Sequence, residues 1–259
     1  MNLVTHDLHC HSRISTCATP DSTLERLVTR AADAGLALLG ITDHVHSEDQ
    51  KRLDEIYATA AHVRSQEWPI PVWVGAELSL WKPGTMPVRR HLVEGLDYVL
   101  IAPNHVGVPN VEGPAEWTPD GVADWLLDGL AYAVEERPLA VSHPFFHGFE
   151  ARVPPREVFA ALDRDRIRGL LRFAGSLRVA IELNARKTRK ETVFTEELIG
   201  LARDTGVRFM LGSDSHSPEE MAYGGRDGRD QYEQLLKKIG LTPDLVWTRE
   251  WWAARQSQE

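Results

Sequence analysis

The sequence predicts an α/β barrel of seven parallel strands. Three observations carry that reading. Short apolar runs alternate seven times with stretches of helical periodicity. The runs are almost continuously apolar, as in strands buried under helices. Each run also ends in a His, Asp, Glu or Asn, at the rim where barrels of this kind build their active sites. The 259 residues suit one such barrel, which commonly takes about 200–250.

Taken in order, Leu3 to Leu8 reads as the first strand. Ser22-Thr-Leu-Glu25 is a capping-box pattern opening a helix to about Ala34, which Gly35 ends. Leu36 to Thr42 is the second strand, followed by a helix around Lys51 to Gln66. "PVWVGAEL" is the third strand and "DYVLIAPNH" the fourth. Thr118-Pro119 caps a helix to Glu136, and "PLAVSHP" is the fifth strand. One helix from Pro155 to about Phe173 precedes "RVAIELN", the sixth strand. A helix from Thr195 to Asp204 stops at Gly206, before the seventh strand, "VRFMLGSDSH". Gln231 to Ile239 is the last helix. "AYGGRDGRD", residues 222–230, reads as a mobile loop. Trp247, Trp251 and Trp252 are expected to pack back on the barrel, since three exposed tryptophans invite aggregation.

The formal net charge of -9 argues against nucleic acid as a partner, which usually selects a basic face. No apolar run approaches the roughly 20 residues of a membrane span, and the N-terminus lacks signal-peptide features, so a cytoplasmic location is expected. Two cysteines, Cys10 and Cys17, make no disulfide framework.

The rim residues are the chemical signal. They are Asp7, His9 and His11, then Asp43 and His44, Glu77, His105, His143, Asn184, and Asp214 with His216. Imidazole nitrogen and carboxylate oxygen suit zinc, manganese or iron. A spacing of two puts His9 and His11 on one side of an extended chain, with Cys10 turned into the core. Six histidines, one Glu and one Asp exceed the needs of one ion, so two or three divalent ions are expected. Glu77 is the natural bridge between them. Asp7 and Asp43 are expected to orient ligating imidazoles. His6, His62 and His91 read as surface residues. His46 and His147 read as loop residues within reach of a leaving group, and Trp81 and Trp117 as loop residues that could wall a substrate.

His9-x-His11-Ser12, "ITDH" at 41–44, "GAE" at 75–77, "SHP" at 142–144 and "GSDSH" at 212–216 together resemble the polymerase and histidinol phosphatase (PHP) family. The resemblance runs in order from residue 3 to about 220. It implies a distorted seven-stranded (β/α)7 TIM-like barrel as a single domain over 1–259, with the last helix and Trp-rich tail, 229–259, packed on it. It also implies a trinuclear metal centre that hydrolyses phosphate esters. Carried over, His9, His11, Glu77 and Asp214 would hold one ion, and Glu77, His105 and His143 a second. His44 and His216 would share the third with a ligand from the loop after the first motif. Family members often carry His or Asp there, and this chain has Cys17. Either the thiolate completes that site, or Asp21 or water fills in and the site is weak or empty. "IAPNH" also departs from the small-residue run often seen before the fourth-strand histidine.

The segment "ELNARKTRK" resembles one in histidinol phosphatases that ends in Arg-Lys. By that likeness Arg189 binds substrate phosphate, with Asn184, Arg186 and Lys187 as further candidates. Asp214, His216 and Arg189 are then the residues expected to act at the reacting phosphate. The reading is a phosphomonoesterase on a small phosphorylated metabolite such as histidinol phosphate, with metal-bound hydroxide as nucleophile. A phosphodiesterase or exonuclease acting on nucleotides or cyclic phosphates could use the same ligands. A non-catalytic metal-binding domain is the third reading.

Overall fold

A computed structural model describes residues 2–82, 84–146, 148 and 151–254. His147 lies outside the described residues.

The elements run β1 (His6–Asp7), α1 (Leu24–Asp33), β2 (Leu38–Val45), α2 (Gln50–Arg64), β3 (Val72–Ser79), β4 (Tyr98–Ala102), α3 (Pro119–Glu135), β5 (Ala140–Val141), α4 (Pro155–Ala161), α5 (Arg164–Ser176), β6 (Ala180–Asn184), α6 (Ala185–Lys190), α7 (Thr192–Ala202), β7 (Phe209–Gly212), α8 (Met221–Lys238) and α9 (Arg249–Ala253). The seven strands form one parallel sheet in chain order. It is nearly closed into the expected barrel. Leu8 N–H donates to the Leu211 carbonyl and His11 N–H to that of Ser215, joining the first strand to the last.

Strand positions agree with the sequence pattern, but β1 and β5 keep only two residues each. The reason is local. Beyond β1, the Asp7 carboxylate accepts from Ser213 N–H at 2.9 Å, taking a donor the ladder would otherwise use. Beyond β5, His143 turns into the left-handed region at φ 28°, and its N–H donates to Glu182 Oε2 at 2.7 Å. Asp214 leaves β7 in the same way at φ 55°. Non-glycine residues at positive φ cost on the order of 1–3 kcal/mol and gather at functional sites.

Helix caps explain the other differences. Thr23, not Ser22, caps α1 by accepting from Arg26 N–H; the Ser22 hydroxyl donates to the His216 carbonyl. The single helix expected over 155–173 is two, because Asp163 accepts from Asp165 and Arg166 N–H and starts α5 afresh. α6 arises where Asn184 Oδ1 accepts from Lys187 N–H. The segment expected as a mobile loop is built into α8. Residues 222–225 make a left-handed turn there, with Ala222 and Tyr223 buried and the Tyr223 hydroxyl donating to the His6 carbonyl at 2.6 Å.

Between β3 and β4 there is no α-helix among the described residues, only a single 3-10 turn at Arg90–Leu92. The end of the barrel away from the rim is plugged by Leu8, Tyr98, Leu100, Leu139, Met210, Trp247 and Trp251. Gly40 is required there, because a Cβ would stand 1.9 Å from the Tyr98 hydroxyl oxygen. His6 belongs to this end. It is buried at 3% exposure rather than on the surface, its Nε2 accepts from Leu211 N–H, and its ring meets Trp247 edge-on at 5.2 Å. Burial pushes its pKa down to about 4, which keeps it an acceptor. His62 and His91 are exposed, as expected. Among the described residues no helix is long and apolar enough to cross a membrane.

Candidate metal centre

Glu77, at the end of β3, is fully buried and lies at the centre of the rim. Its Oε1 stands 3.2 Å from His143 Nε2, 3.3 Å from His9 Nε2 and 3.6 Å from His105 Nε2. Its Oε2 stands 2.9 Å from His44 Nδ1 and 3.8 Å from His11 Nε2. Asp214 Oδ1 is 3.2 Å from His11 Nε2 and 3.6 Å from His9 Nε2. Burial would raise the Glu77 pKa, but the His9, His105 and His44 rings outweigh it and hold the group well below the usual carboxylate range.

The outer contacts fix the tautomers. His9 Nδ1 faces Glu182 Oε1 at 2.8 Å, and His216 Nδ1 faces the Asp214 carbonyl at 2.9 Å. His143 Nδ1 faces Asn104 Oδ1 at 3.1 Å, while the Asn104 amide donates to the carbonyls of His143 and Phe146. These three oxygens can only accept, so each Nδ1 carries a proton, and in the neutral ring that leaves the lone pair on Nε2. At His9 and His143 those lone pairs face carboxylate oxygens across the gaps given above.

Those gaps call for positive charge, a metal ion or a second proton on the ring; burial opposes that proton at His9, but the Glu182, Glu77 and Asp214 carboxylates raise its pKa well above the usual imidazole value. His9 Nε2, His44 Nδ1 and Glu77 Oε2 are buried with no aligned hydrogen-bond partner among the described residues, although His44 Nδ1 and Glu77 Oε2 are close. Buried polar atoms are rarely left so. The donors fall into triads whose atoms lie within 4.8 Å of one another: His9–His11–Glu77, Glu77–His105–His143 and His11–His44–His216. Two more are His9–His143–Glu182 and His44–His46–His105. The nitrogen and oxygen donors fit zinc, manganese or iron.

Cys17 sits beside His44 and His216. Burial would raise its thiol, but hydrogen bonds from His216 and His44 bring it down to about 6. It lines a cavity of about 520 Å3 over the rim, together with His44, His46, His105, His143, Lys187 and Asp214. Asp21 is turned to Thr19 and Arg26.

The phosphate-binding candidates divide. Lys187 reaches the cavity. The Arg189 guanidinium is held instead by the carbonyls of Tyr223 and Gly228, over the Tyr232 ring, and Arg186 pairs with Glu220. Asn184 caps α6 and donates to Asp214 Oδ2 at 3.2 Å. Contrary to expectation, Asp7 and Asp43 make no direct hydrogen bond to an imidazole among the described residues. Asp7 accepts from backbone N–H groups, and Asp43 accepts from Ser12 and Ser15. Cys10 is buried in the core as expected. Trp81 and Trp117 do not line the cavity; the Trp81 indole N–H donates to the His46 carbonyl and Trp117 packs under Arg152.

A family model for the PHP domain matches residues 7–246. The chain belongs to the PHP domain family. Its structure is similar to that of histidinol phosphate phosphatase from Lactococcus lactis subsp. lactis Il1403, complexed with zinc, L-histidinol and phosphate. The TM-score is 0.64 at 20% identity, over 92% of this chain and 95% of that one. It is also similar to a protein assigned as a histidinol phosphatase from Listeria monocytogenes, at TM-score 0.57 and 13% identity, over 85% and 98% of the two chains. Comparison with curated proteins finds no sequence match.

Within this PHP barrel, Glu182 is the residue the sequence reading missed. It is buried on β6 and holds both the His9 ring and the His143 backbone. The signal was present: an acidic residue inside an apolar strand, two before Asn184 and so on the same face. Gly212 makes room for it, because a Cβ there would stand 2.2 Å from Glu182 Oε1. Glu182→Gln is expected to weaken metal binding about 10- to 100-fold, the usual effect of losing an outer carboxylate on a ligating histidine. Metal titration of the stripped protein checks it, and an unchanged affinity would show that the His9 tautomer needs no carboxylate.

Proposed function

We propose that this PHP-family chain is a metal-dependent phosphoesterase, acting on the phosphate monoester of a small metabolite at a centre of two or three divalent ions. The observation that supports the proposal is the set of buried imidazole nitrogens converging on Glu77 and Asp214, an arrangement that divalent ions between them would satisfy. On this reading His9, His11, Glu77 and Asp214 hold one ion, and Glu77, His105 and His143 the second. His44 and His216 hold the third with Cys17, whose thiol is already drawn toward its thiolate. Divalent ions so held supply a water acidic enough to attack phosphorus near neutral pH, and positive charge against the phosphoryl oxygens.

The chain's own groups do the rest. Lys187, in the cavity wall, binds a phosphate oxygen, the role expected of Arg189 by its motif. Asn184 donates to Asp214 Oδ2 and so keeps Oδ1 toward His9 and His11. The cavity of about 520 Å3 suits a small ester better than a polymer. The Lactococcus relative holds L-histidinol and phosphate, which makes histidinol phosphate the first ester to test.

The test is turnover by chelator-stripped protein reconstituted with zinc or manganese, on monoesters including histidinol phosphate and on a simple aryl diester. Monoesters should turn over at least about tenfold faster, and stripped protein should be inactive. Lys187→Ala should raise KM about 10- to 100-fold with little change in kcat, as expected for loss of a charge-assisted bond to bound phosphate. Full metal loading with no turnover of either ester class would overturn the proposal; a faster diester rate would reassign the substrate.

A further inference from the structure

His46 stands two residues beyond His44 and enters none of the three proposed ion sites, yet it is held from three sides. Its ring stacks on His44 at 4.9 Å. Its carbonyl accepts from the Trp81 indole at 2.8 Å. Its Nδ1 lies 2.8 Å from Ser79 Oγ. The same Ser79 oxygen lies 2.7 Å from His105 Nδ1. Ser79 is fully buried at the end of β3, and among the described residues its hydroxyl has only these two partners.

A hydroxyl has one proton to give. If both rings donated to Ser79, its own proton would be left without an acceptor in a buried site. One imidazole Nδ1 must therefore accept and the other donate. A neutral ring that accepts at Nδ1 carries its proton on Nε2 and cannot ligate there; a ring that donates at Nδ1 has a free Nε2 lone pair. Ser79 thus makes His46 and His105 mutually exclusive as Nε2 ligands, although both appear in one donor triad.

We infer that His105 is the ligand and His46 the substrate-facing donor. His105 Nε2 is directed at Glu77 Oε1, at 3.6 Å, beside His143. Its Nδ1 then donates to Ser79, Ser79 donates to His46 Nδ1, and His46 keeps a proton on Nε2. His46 lines the cavity over the rim with Lys187 and Cys17. It places a neutral N–H donor for an oxygen of a bound phosphate ester, beside the charged one that Lys187 supplies. The inference rests on the phosphoesterase reading for its substrate, but not for its tautomer.

Three readouts test it. Elemental analysis of purified variants should show His105→Ala losing an ion and His46→Ala keeping the wild-type number. Nitrogen-15 spectra of the metal-loaded protein should show His46 protonated at Nε2 and unprotonated at Nδ1. On phosphate monoesters, His46→Ala should lower kcat/KM about 10- to 100-fold, and His46→Gln, which retains a side-chain N–H, should recover part of the loss. Loss of an ion in His46→Ala, or a proton on His46 Nδ1, overturns the inference. If wild-type protein turns over no phosphate ester, the proposed function fails while the metal count and the spectra still decide the tautomer.

Discussion

Glu77→Gln is expected to empty the centre and reduce turnover at least about a thousandfold. Glu77 is the carboxylate shared by the rim histidines: its two oxygens face five imidazole nitrogens between 2.9 and 3.8 Å. Glutamine keeps the shape but removes the charge and replaces one acceptor with a donor. Its amide can then bond to the lone pairs of the histidines, satisfying without a cation what the native site satisfies with one. The rate estimate follows from losing both the acidified water and the charge against the phosphoryl oxygens, each worth orders of magnitude. Bound metal also stabilises the folded state by mass action. Chelation should therefore lower the melting temperature of wild-type protein and leave that of Glu77→Gln almost unmoved. Elemental analysis, turnover and paired melts with and without chelator make the measurement. Native metal content in the variant would remove Glu77 from the ligand set.

Trp247→Ala is expected to cost about 3–5 kcal/mol of stability, the range for deleting a large buried aromatic side chain. For a domain of this size that is a fall in melting temperature of roughly 6–20 °C. Trp247 is 3% exposed, meets His6 at 5.2 Å and Trp73 at 6.0 Å, and its backbone N–H donates to the Phe209 carbonyl at the start of β7. Its indole closes the barrel from below, packed with Tyr98, Leu100, Ala140, Ala180 and Met210 from the strands and Leu8 from just after β1. The rim lies at the other end of the strands, so metal content of the folded variant should not change. A shift under about 2 °C would mean the plug closes without the indole.

The strand order and the rim were legible because both follow from short-range rules. Buried parallel strands are apolar runs, and a ligand at each strand end needs only a strand and its last residue. What stayed hidden needed contacts between distant strands. Glu182 reads as one acid in "AIELN" until β6 lies between β5 and β7 and its side chain reaches His9 beyond the end of β1. Asn104 and Ser79 look like loop and strand-end polar residues until His143 and His105 turn toward them. Asp7 was expected to hold an imidazole; it holds the backbone where the barrel closes, a task that exists only once β7 is beside β1. His6 reads as a surface residue because the tryptophan that covers it comes over 200 positions later. Arg189 keeps its motif position, but α8 draws its guanidinium away. The short β1 and β5 follow from side chains competing with the ladder, which no apolar pattern records.

Glu182 has one further property. Its two oxygens are divided, one on the ring of His9 and the other on the backbone of His143. On the proposed assignment those histidines serve different ions. A carboxylate fixed at one end is already oriented at the other, so ordering His9 reduces what must be ordered at His143. Linkage makes the effect reciprocal. On that assignment the ions are expected to load together rather than as independent guests, the first lowering the ordering cost of the second.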